Sequence, residues 1–482
     1  MSSFVFSRNP TTLKHPPGPV GHPIWGTMPA FRRDDNFLHT LSRWVDEYGD
    51  AIRFRFFLHF HGYFFFHPDH NRHILQDNNR NYTKMPNPSN QVLKPLVGNG
   101  LLTSDGNFWL RQRRLAQPAF HRRRIESFAE TMTAATERLL ARWEEPAAAG
   151  KVLDVSEEMM ELTLEIAGRT LFSVDLTREA DTVGQAFMAA NRQVIEFSTQ
   201  PFGASLITVP WWPPTGRLNQ NVQVLDEVVK GIIAQRRRER SAGHQNGERA
   251  DLLDMLMAAR DEETGQGMSD EQLRDEIMTI MLAGHETTAL ALSWTFYLLS
   301  QHPDVRHRLE AEVDGVLGGR TPTYADIPDL VYTSMVIEES MRLYPPAYAI
   351  ARWGNDWDRV GGYDVPPDSA ITLSPYFTHR HPAFWKEPER FDPERFTAER
   401  KAERSRWAYI PFGGGPRQCI GNRFAMTEAI LLLAQICSHY RLDLVPGHPV
   451  ALEPLITLRP RYGLRMTLAR RSRRSTGRAP AG

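Results

Sequence analysis

The feature that most constrains this chain is a glycine-rich loop around a single cysteine, Cys419, near the C-terminal end. The loop reads Phe412-Gly-Gly-Gly-Pro-Arg417-Gln-Cys419-Ile-Gly421, and a helical pattern begins directly after it at Asn422. Glycines allow a sharp turn and a close approach of the backbone to a large flat partner. The start of a helix presents free amides and a partial positive charge, which favour a thiolate. The sequence therefore predicts a cysteine that acts as an anionic ligand.

The spacing F-x-x-G-x-R-x-C-x-G resembles the haem-binding signature of the cytochrome P-450 family and matches it at every fixed position. The resemblance implies that Cys419 is the axial ligand of the haem iron, with Phe412, Arg417 and Gly421 in the haem site. Such a thiolate donates electron density to the iron and favours cleavage of the O–O bond. Arg417 is expected to meet a haem propionate. A buried structural cysteine is the usual alternative for a lone cysteine, and the complete match argues against it.

Composition agrees with a globular enzyme and gives no reason to expect nucleic acid as a partner. The 57 lysines and arginines balance the 57 aspartates and glutamates, and 41% of the residues are hydrophobic. No linker divides the 482 residues, so we expect one haem domain over 1–482, with flexible tails at about 1–15 and 470–482. Cys437 lies in an apolar helical pattern and is expected to be buried. The chain shows no signal-peptide pattern and no N-terminal membrane anchor, so we expect a monomeric, cytoplasmic protein without a membrane span.

Hydrophobic periodicity predicts a mainly α-helical fold with a small β region. Long helical patterns cover 156–170, 219–238, 269–301, 303–316 and 332–343. Two short aromatic runs, 52–57 and 63–66, predict a hairpin, and 371–373 predicts a further strand. The polar stretch 236–250 is predicted to be a loop. The resemblance implies the cytochrome P-450 fold, in which a long central helix lies over a haem held by the cysteine loop.

A second motif, Ala283-Gly-His-Glu-Thr-Thr288, lies in the predicted central helix. It resembles the oxygen-binding part of the family's long helix. The resemblance implies three catalytic residues: Gly284 leaves space for dioxygen, Thr287 hydrogen-bonds dioxygen or a water, and Glu286 helps to feed protons inward. The alternative is an acid and two threonines on an ordinary helix surface, where threonine bonds its own backbone.

Two further motifs are expected to support the fold rather than the chemistry. Glu339 and Arg342 stand three positions apart on one helical face and resemble the family's E-x-x-R pair. Arg395, in Pro-Glu-Arg-Phe, is expected to join them in a network of three charges. Arg390 lies in a near copy of the same motif and is the alternative. An exposed ion pair of little energetic value is the plain interpretation of such spacing.

Two further motifs imply contacts with haem propionates. Trp109 and Arg113 form W-x-x-x-R in a basic segment compatible with a helix, so both lie on one face. Arg352 follows Leu-Tyr-Pro-Pro at the spacing of another propionate-binding arginine of the family. Plain solvation is the alternative for each arginine taken singly. Because Trp109, Arg113 and Arg352 match the family's motifs in the same order along the chain, we expect them to contact the haem propionates.

The resemblance implies a haem-thiolate monooxygenase that uses haem b and inserts one atom of O2 into a lipophilic substrate by hydroxylation or epoxidation. Electrons would come ultimately from NAD(P)H through a separate ferredoxin and its reductase, or through a flavin-containing reductase, since only about 60 residues follow Cys419. The arginines expected to steer that partner are Arg111, Arg114, Arg122, Arg123 and Arg124. Two alternatives stand: a peroxide-using or rearranging haem-thiolate enzyme, and a non-catalytic haem sensor or carrier.

The substrate is constrained only to be lipophilic. The segments at the family's substrate-recognition positions are largely apolar, and they cover 86–102, 197–212, 277–288, 346–351 and 454–457. The string Ala-Gly-His-Glu-Thr-Thr is similar to that of fatty-acid hydroxylases, which favours a fatty acid. Terpenoids, steroids and polyketides are the alternatives.

Overall fold

The computed structural model describes residues 13–33, 36–57, 60–176, 180–198, 206–207, 209, 212–242, 251–261 and 265–471. Its helices are α1 (Met28–Arg33), α2 (Phe37–Tyr48), α3 (Pro68–Arg72), α4 (Pro88–Gln91), α5 (Lys94–Val97), α6 (Gly106–Ala116), α7 (Arg122–Arg142), α8 (Glu144–Ala148), α9 (Val155–Leu171), α10 (Ala180–Ser198), α11 (Pro213–Ser241), α12 (Leu252–Ala258), α13 (Asp270–Gln301), α14 (Pro303–Leu317), α15 (Val331–Leu343), α16 (Pro375–Thr378), α17 (Ala398–Glu403) and α18 (Asn422–His439). Its strands are β1 (Ala51–Phe57), β2 (Phe60–Phe65), β3 (Tyr82–Thr83), β4 (Val152–Asp154), β5 (Ile350–Gly354), β6 (Asp358–Val360), β7 (Tyr363–Val365), β8 (Ser369–Leu373), β9 (Tyr440–Leu444), β10 (Leu452–Pro454), β11 (Leu458–Pro460) and β12 (Arg465–Arg470). The prediction of a mainly helical fold with a small β region is confirmed.

The long central helix is α13, and local sequence fixes both of its ends. The Ser269 hydroxyl accepts a hydrogen bond from the Gln272 amide at 3.2 Å, and the Gln272 side chain accepts one from the Ser269 amide at 2.9 Å. At the other end, Pro303 begins α14, since proline lacks an amide hydrogen and suits a first helical turn. Helices α9, α11, α15 and α18 pack around α13, so most of its side chains are buried.

The largest sheet brings distant segments together beside the cysteine loop. Its strand order is β1-β2-β8-β5-β3, with β2 and β8 parallel and the other pairs antiparallel. The hairpin predicted at 52–57 and 63–66 is β1 and β2, and the strand predicted at 371–373 lies in β8. In the pairing of β3 with β5, Thr83 lies opposite Trp353. The residues that follow β3 therefore lie next to Arg352.

The predicted loop at 236–250 is wrong in its first part, because α11 continues to Ser241. Arg236 is buried there rather than solvated. Its guanidinium lies 2.7 Å from an Asp251 oxygen and 2.9 Å from an Asp254 oxygen. Partners beyond the helix thus neutralise a residue that looked like part of a polar surface. Residues 243–250 lie outside the described residues.

The predicted C-terminal tail begins too early. Arg470 is the last residue of β12 and pairs with Tyr440, and Arg471 lies 2.7 Å from an Asp314 oxygen. Residues 472–482 and 1–12 lie outside the described part of the chain, so the tail prediction is untested there. Cys437 is buried, as expected. Among the described residues, no helix combines the length and apolarity needed to cross a membrane.

Glu339, Arg342 and Arg395 form a buried network that we call the core triad. The Glu339 and Arg342 side chains are wholly buried and joined by two hydrogen bonds, of 2.6 Å and 2.9 Å. Arg395 Nε lies 3.3 Å from Glu339 Oε1. Arg390, the alternative, is 64% exposed and pairs with Glu387, offering the network only its backbone carbonyl. The geometry therefore assigns Arg395 to the network.

Candidate functional site

The cysteine loop closes tightly before α18, and Gly421 caps that helix. The Cys419 amide donates to the Phe412 carbonyl at 2.9 Å, which fixes the two ends of the loop together. Gly415 has φ +68°, and a Cβ there would lie 1.7 Å from the Leu75 carbonyl oxygen. Only glycine fits that position, because any larger residue would meet rigid backbone as well as strain.

The Cys419 thiol lies in an opening inside the protein. It is exposed, yet surrounding protein atoms raise its pKa by burial. The Gly421 amide and the charge of Arg113 act in the opposite direction and lower it. Arg113 is held in place by donating to the Gln418 carbonyl at 2.9 Å. The protein alone therefore does not secure the thiolate that the helix start suggested, whereas a coordinated metal ion deprotonates a thiol outright.

An uncovered strip interrupts the buried surface of α13. Ala283 is exposed, and Gly284 and Thr287 are partly exposed, whereas the helical residues on both sides of them are buried. A Cβ on Gly284 would meet only the Leu171 side chain, at 3.9 Å. The Thr287 hydroxyl donates to the Ala283 carbonyl at 2.8 Å, the backbone bond of an ordinary helical threonine, and also faces this open strip.

Glu286 lies off this strip and is only 2% exposed. Its Oε1 is 3.0 Å from Arg459 Nε and accepts hydrogen bonds from Thr457 Oγ1 at 2.8 Å and Asn191 Nδ2 at 3.4 Å. Burial raises the pKa of Glu286, while Arg459 and Thr457 lower it. The sequence did not predict this partner. The available signal was an arginine within the otherwise apolar run that forms β11.

Arg417 is paired within the protein. It forms an ion pair with Asp105 and donates to the Ser104 carbonyl at 2.8 Å. Its guanidinium carbon lies 4.2 Å from the ring centroid of Trp109, a cation–π distance. The structure thus brings together Trp109 and Arg417, two residues predicted from separate motifs.

Lys84, Arg352 and Arg417 form what we call the basic cluster, and they share one carboxylate. Asp105 accepts the Lys84 and Met85 amides at 2.6 Å and 2.8 Å in addition to Arg417, so its oxygens are already occupied. No other acid of the described residues pairs with Lys84 or Arg352, and Arg352 donates only to its neighbour's carbonyl, at 2.9 Å. Positive charge is therefore in excess there.

The electrostatics of the basic cluster confirm that this excess is unfavourable for the protein alone. Burial, followed by the charge of Arg417, lowers the pKa of Arg352 to about 10. Burial, followed by Arg352 and Arg417, lowers the pKa of Lys84 well below its usual value. Lys84 was missed because a single lysine beside a two-residue strand carries no pattern. An anionic group bound here would relieve the repulsion.

These features fit a haem. A thiol in an interior opening suits an iron ligand, an open strip on α13 suits a flat macrocycle, and excess positive charge suits two propionates. The donor set consists of one thiol and several cations, which matches an iron porphyrin better than a closed metal site built from protein ligands.

Comparison with known proteins agrees with this geometry. Residues 16–464 match the model of the cytochrome P450 family. The chain is 36% identical over 440 residues to cyclooctat-9-en-7-ol 5-monooxygenase of Streptomyces melanosporofaciens, with 91% of each chain covered. It is 35% identical over 452 residues to pentalenene oxygenase of Streptomyces avermitilis. That alignment covers 93% of this chain and 95% of the relative. The solved heme domain of cytochrome P450DA superposes with a TM-score of 0.85 at 27% identity, covering 96% of this chain and 98% of that domain. The chain therefore belongs to the cytochrome P450 family and is a monooxygenase.

Proposed function

We propose that this monooxygenase hydroxylates or epoxidises a terpene. The observation that carries the proposal is the similarity to the two oxygenases above, which are named for the terpenes pentalenene and cyclooctat-9-en-7-ol. Similarity over more than nine-tenths of the chain outweighs the six-residue string that favoured a fatty acid. Of the apolar segments expected to line the substrate pocket, 197–212 lies mostly outside the described residues.

A ligand screen tests the substrate class. We expect terpene olefins and alcohols to convert the haem protein from low spin to high spin, and a surrogate ferredoxin, its reductase and NADPH to yield a mono-oxygenated product. Fatty acids serve as the comparison set. A spin shift and product from fatty acids, with neither from terpenes, would contradict the proposal. Cys419→Ser is the matched inactive control, because it should remove the thiolate signature of the reduced, carbon monoxide-bound spectrum.

Haem b, when bound, supplies the activation of O2 and the transfer of one oxygen atom to the substrate. Cys419 would bind its iron, and Phe412 and Gly421 would shape the loop. The cations and the aromatic ring that would hold the propionates are Trp109, Arg113, Arg352 and Arg417, together with Lys84. The excess charge of the basic cluster supports this assignment.

The strip on α13 would serve the reacting side of the pocket. Gly284 leaves room there, since a Cβ would find almost no contact. The Thr287 hydroxyl would orient a water or dioxygen, and Glu286 would exchange protons with it through solvent. The presence of both the acid and the threonine favours this assignment over the peroxide-using alternative, which does not need a proton supply.

Replacing Thr287 tests that assignment. Thr287→Ala should keep haem binding and the substrate-induced spin shift, yet yield less product and more hydrogen peroxide per NADPH, because the oriented hydroxyl is lost. Thr288→Ala is the matched control, since Thr288 is buried and donates to the Gly284 carbonyl at 3.3 Å. Unchanged coupling in Thr287→Ala would favour Thr288 as the oxygen-facing hydroxyl if Thr288→Ala loses coupling, and the peroxide-using alternative if it does not.

The electron-donating partner would dock beside the cysteine loop. A Cβ built on Gly421 would lie 3.7 Å from the Phe120 ring, so the start of α7 with exposed Arg122 and Arg123 is next to this loop. Arg423, at the start of α18, is also exposed and was missed by the sequence prediction.

Two of the predicted docking arginines are already engaged. Arg111 donates to the Gln266 and Gly267 carbonyls at 3.0 Å and 2.9 Å, and Arg114 lies 3.4 Å from an Asp261 oxygen. The remaining exposed arginines form a smaller patch than expected. Opposite charge on a ferredoxin or flavoprotein would be attracted to it over about a Debye length.

Charge reversal tests this docking patch. The double variant Arg122→Glu/Arg123→Glu should slow haem reduction by an acidic ferredoxin and reduce its dependence on salt, without changing substrate binding. Lys230→Glu is the control, because Lys230 is exposed on α11, which packs against α10 and α13. Equal reduction rates in the double variant and the control would exclude the patch.

A further inference from the structure

Three elements of the fold meet at the carboxylate of Glu286. Helix α13 provides the acid itself, α10 provides Asn191, and the β10–β11 hairpin provides Thr457 and Arg459. All four residues are more than nine-tenths buried. A buried carboxylate in such a setting is stable only when its partners satisfy it, so its orientation depends on the hairpin.

The turn of that hairpin contacts both the carboxylate and its partner on α10. Thr457 lies in the turn between β10 and β11, within the segment 454–457, which the family resemblance implies is a substrate-recognition position. The Ile456 amide donates to Asn191 Oδ1 at 3.0 Å, while Asn191 Nδ2 reaches Glu286. A shift of the turn therefore changes the contacts of Glu286 directly.

Arg459 dominates the charge around Glu286. Arg192 and Glu453 lie farther out and pair with each other at 3.7 Å, with Arg192 on the exposed side. The Nδ1–H of His285 donates to the Met281 carbonyl of its own helix at 2.9 Å, and burial lowers the pKa of His285 to about 4, so it is neutral. Helix α9 contributes only the uncharged sulfur of Met160, 3.8 Å from Arg459. Among the described residues, Arg459 alone brings a charge into contact with the carboxylate.

We propose that Arg459 and Thr457 are positioning residues that fix the Glu286 carboxylate and favour its ionised form, so that the turn between β10 and β11 controls its exchange of protons. The proposal rests on the proton-delivery role of Glu286 given under the proposed function. The physical reason is that burial alone favours the neutral acid, whereas an adjacent guanidinium favours the anion. A turn displaced by a poorly fitting substrate would weaken both contacts and leave the acid neutral.

Infrared titration of the haem protein tests the contact itself. The band of the protonated Glu286 carboxyl is identified by its loss in Glu286→Gln, and its midpoint is followed with pH. Arg459→Gln should move that midpoint upward by about 1–3 pH units, because the charge that favours the anion is removed. Arg459→Lys should restore most of the shift, and Thr457→Val should move the midpoint upward by less. Arg192→Gln, which removes a nearby exposed charge that does not touch Glu286, is the matched control.

Coupling measured as product per NADPH then tests the link to the reaction. In Arg459→Gln its pH profile should move in parallel with the infrared midpoint, while the substrate-induced spin shift is kept. An unmoved midpoint in Arg459→Gln overturns the inference, as does a midpoint that moves equally in Arg192→Gln. If Arg459→Gln does not fold, the infrared midpoints of Arg459→Lys and Thr457→Val test the inference instead. An unmoved midpoint in Thr457→Val would then overturn it. Unchanged coupling in Glu286→Gln would instead refute the proposed proton-delivery role, whatever the infrared result.

Discussion

The core triad is a buried group of charges and the basic cluster is a buried to partly buried one, but only the triad is complete within the protein. In the core triad the acid meets two arginines, and the remaining N–H groups of Arg342 reach the His379 and Pro388 carbonyls at 3.0 Å and 2.7 Å. In the basic cluster three cations share Asp105, whose oxygens are occupied. The difference teaches that a satisfied network supports the fold, whereas an unsatisfied one marks the place of a missing anion.

Breaking the core triad should produce the largest effect. Glu339→Gln leaves Arg342 and Arg395 as uncompensated charges in the interior, so we expect a loss of about 3–5 kcal/mol in unfolding free energy. Urea unfolding of the haem protein measures it. Glu387→Gln is the control, since the Glu387 side chain is exposed and, among the described residues, forms an ion pair only with Arg390. A loss equal to that of the control would show that the triad does not stabilise the fold.

Glu428 extends the comparison to a buried acid with no cation beside it. It is 1% exposed, neither oxygen has a hydrogen-bond partner among the described residues, and burial raises its pKa to about 8. The folded state therefore holds a proton that the unfolded state releases above its ordinary pKa. The contribution of this proton to the free energy of unfolding is therefore fully present at low pH and is lost as the pH rises towards 8.

Glu428→Gln should remove that pH dependence. The amide is neutral at every pH, so the variant should gain on the order of 3 kcal/mol over the wild type between pH 5 and pH 8. Urea midpoints at both pH values, with unchanged slopes, provide the measurement. A constant difference between variant and wild type across this range would mean that Glu428 is ionised in the folded protein.

Removing a cation from the basic cluster should act in opposite directions on the protein with and without haem. In Lys84→Met and Arg352→Met the apoprotein loses a charge that has no acid paired with it among the described residues, so its stability should be unchanged or higher. Haem should bind about 10–150 times more weakly, because a hydrogen bond to a charged group contributes about 1.5–3 kcal/mol. Transfer of haem to an excess of a haem-binding acceptor and urea unfolding of the apoprotein measure the two effects. Destabilised apoprotein in both variants would contradict the comparison.

The sequence predicts best what is local and periodic. Helix α13 differs from its predicted range only at Ser269, the capping residue, because its capping box and the following proline are encoded within a few positions. The strands other than β1, β2 and β8 were missed, since most of them have only three residues or fewer and show no alternation. Motifs located Arg352 and Arg417, whereas Lys84 joins them only through the pairing of β3 with β5.

Partners that come from distant segments cannot be predicted from periodicity. The contact between Glu286 and Arg459 depends on where the β10–β11 hairpin packs, and nothing near Glu286 indicates it. The near-identical motifs around Arg390 and Arg395 are a second case in which local sequence cannot identify a distant partner. Both motifs fit equally well, so the sequence does not decide which arginine meets Glu339. Burial separates them: the Arg395 side chain is 9% exposed.

The smallest expected effect on stability comes from replacing Arg390, the exposed member of the two arginines. Arg390→Ala should change the unfolding free energy by less than about 0.5 kcal/mol, since Arg390 is exposed and its carbonyl, which meets Arg342, is kept. Arg395→Ala, in the matched position, removes an ion pair to Glu339 and a hydrogen bond of 2.8 Å to the Glu387 carbonyl. The loss of unfolding free energy in Arg395→Ala should therefore be several times larger than that in Arg390→Ala. Urea unfolding of the two variants side by side provides the measurement. Equal losses would mean that both arginines support the core triad and that burial does not distinguish them.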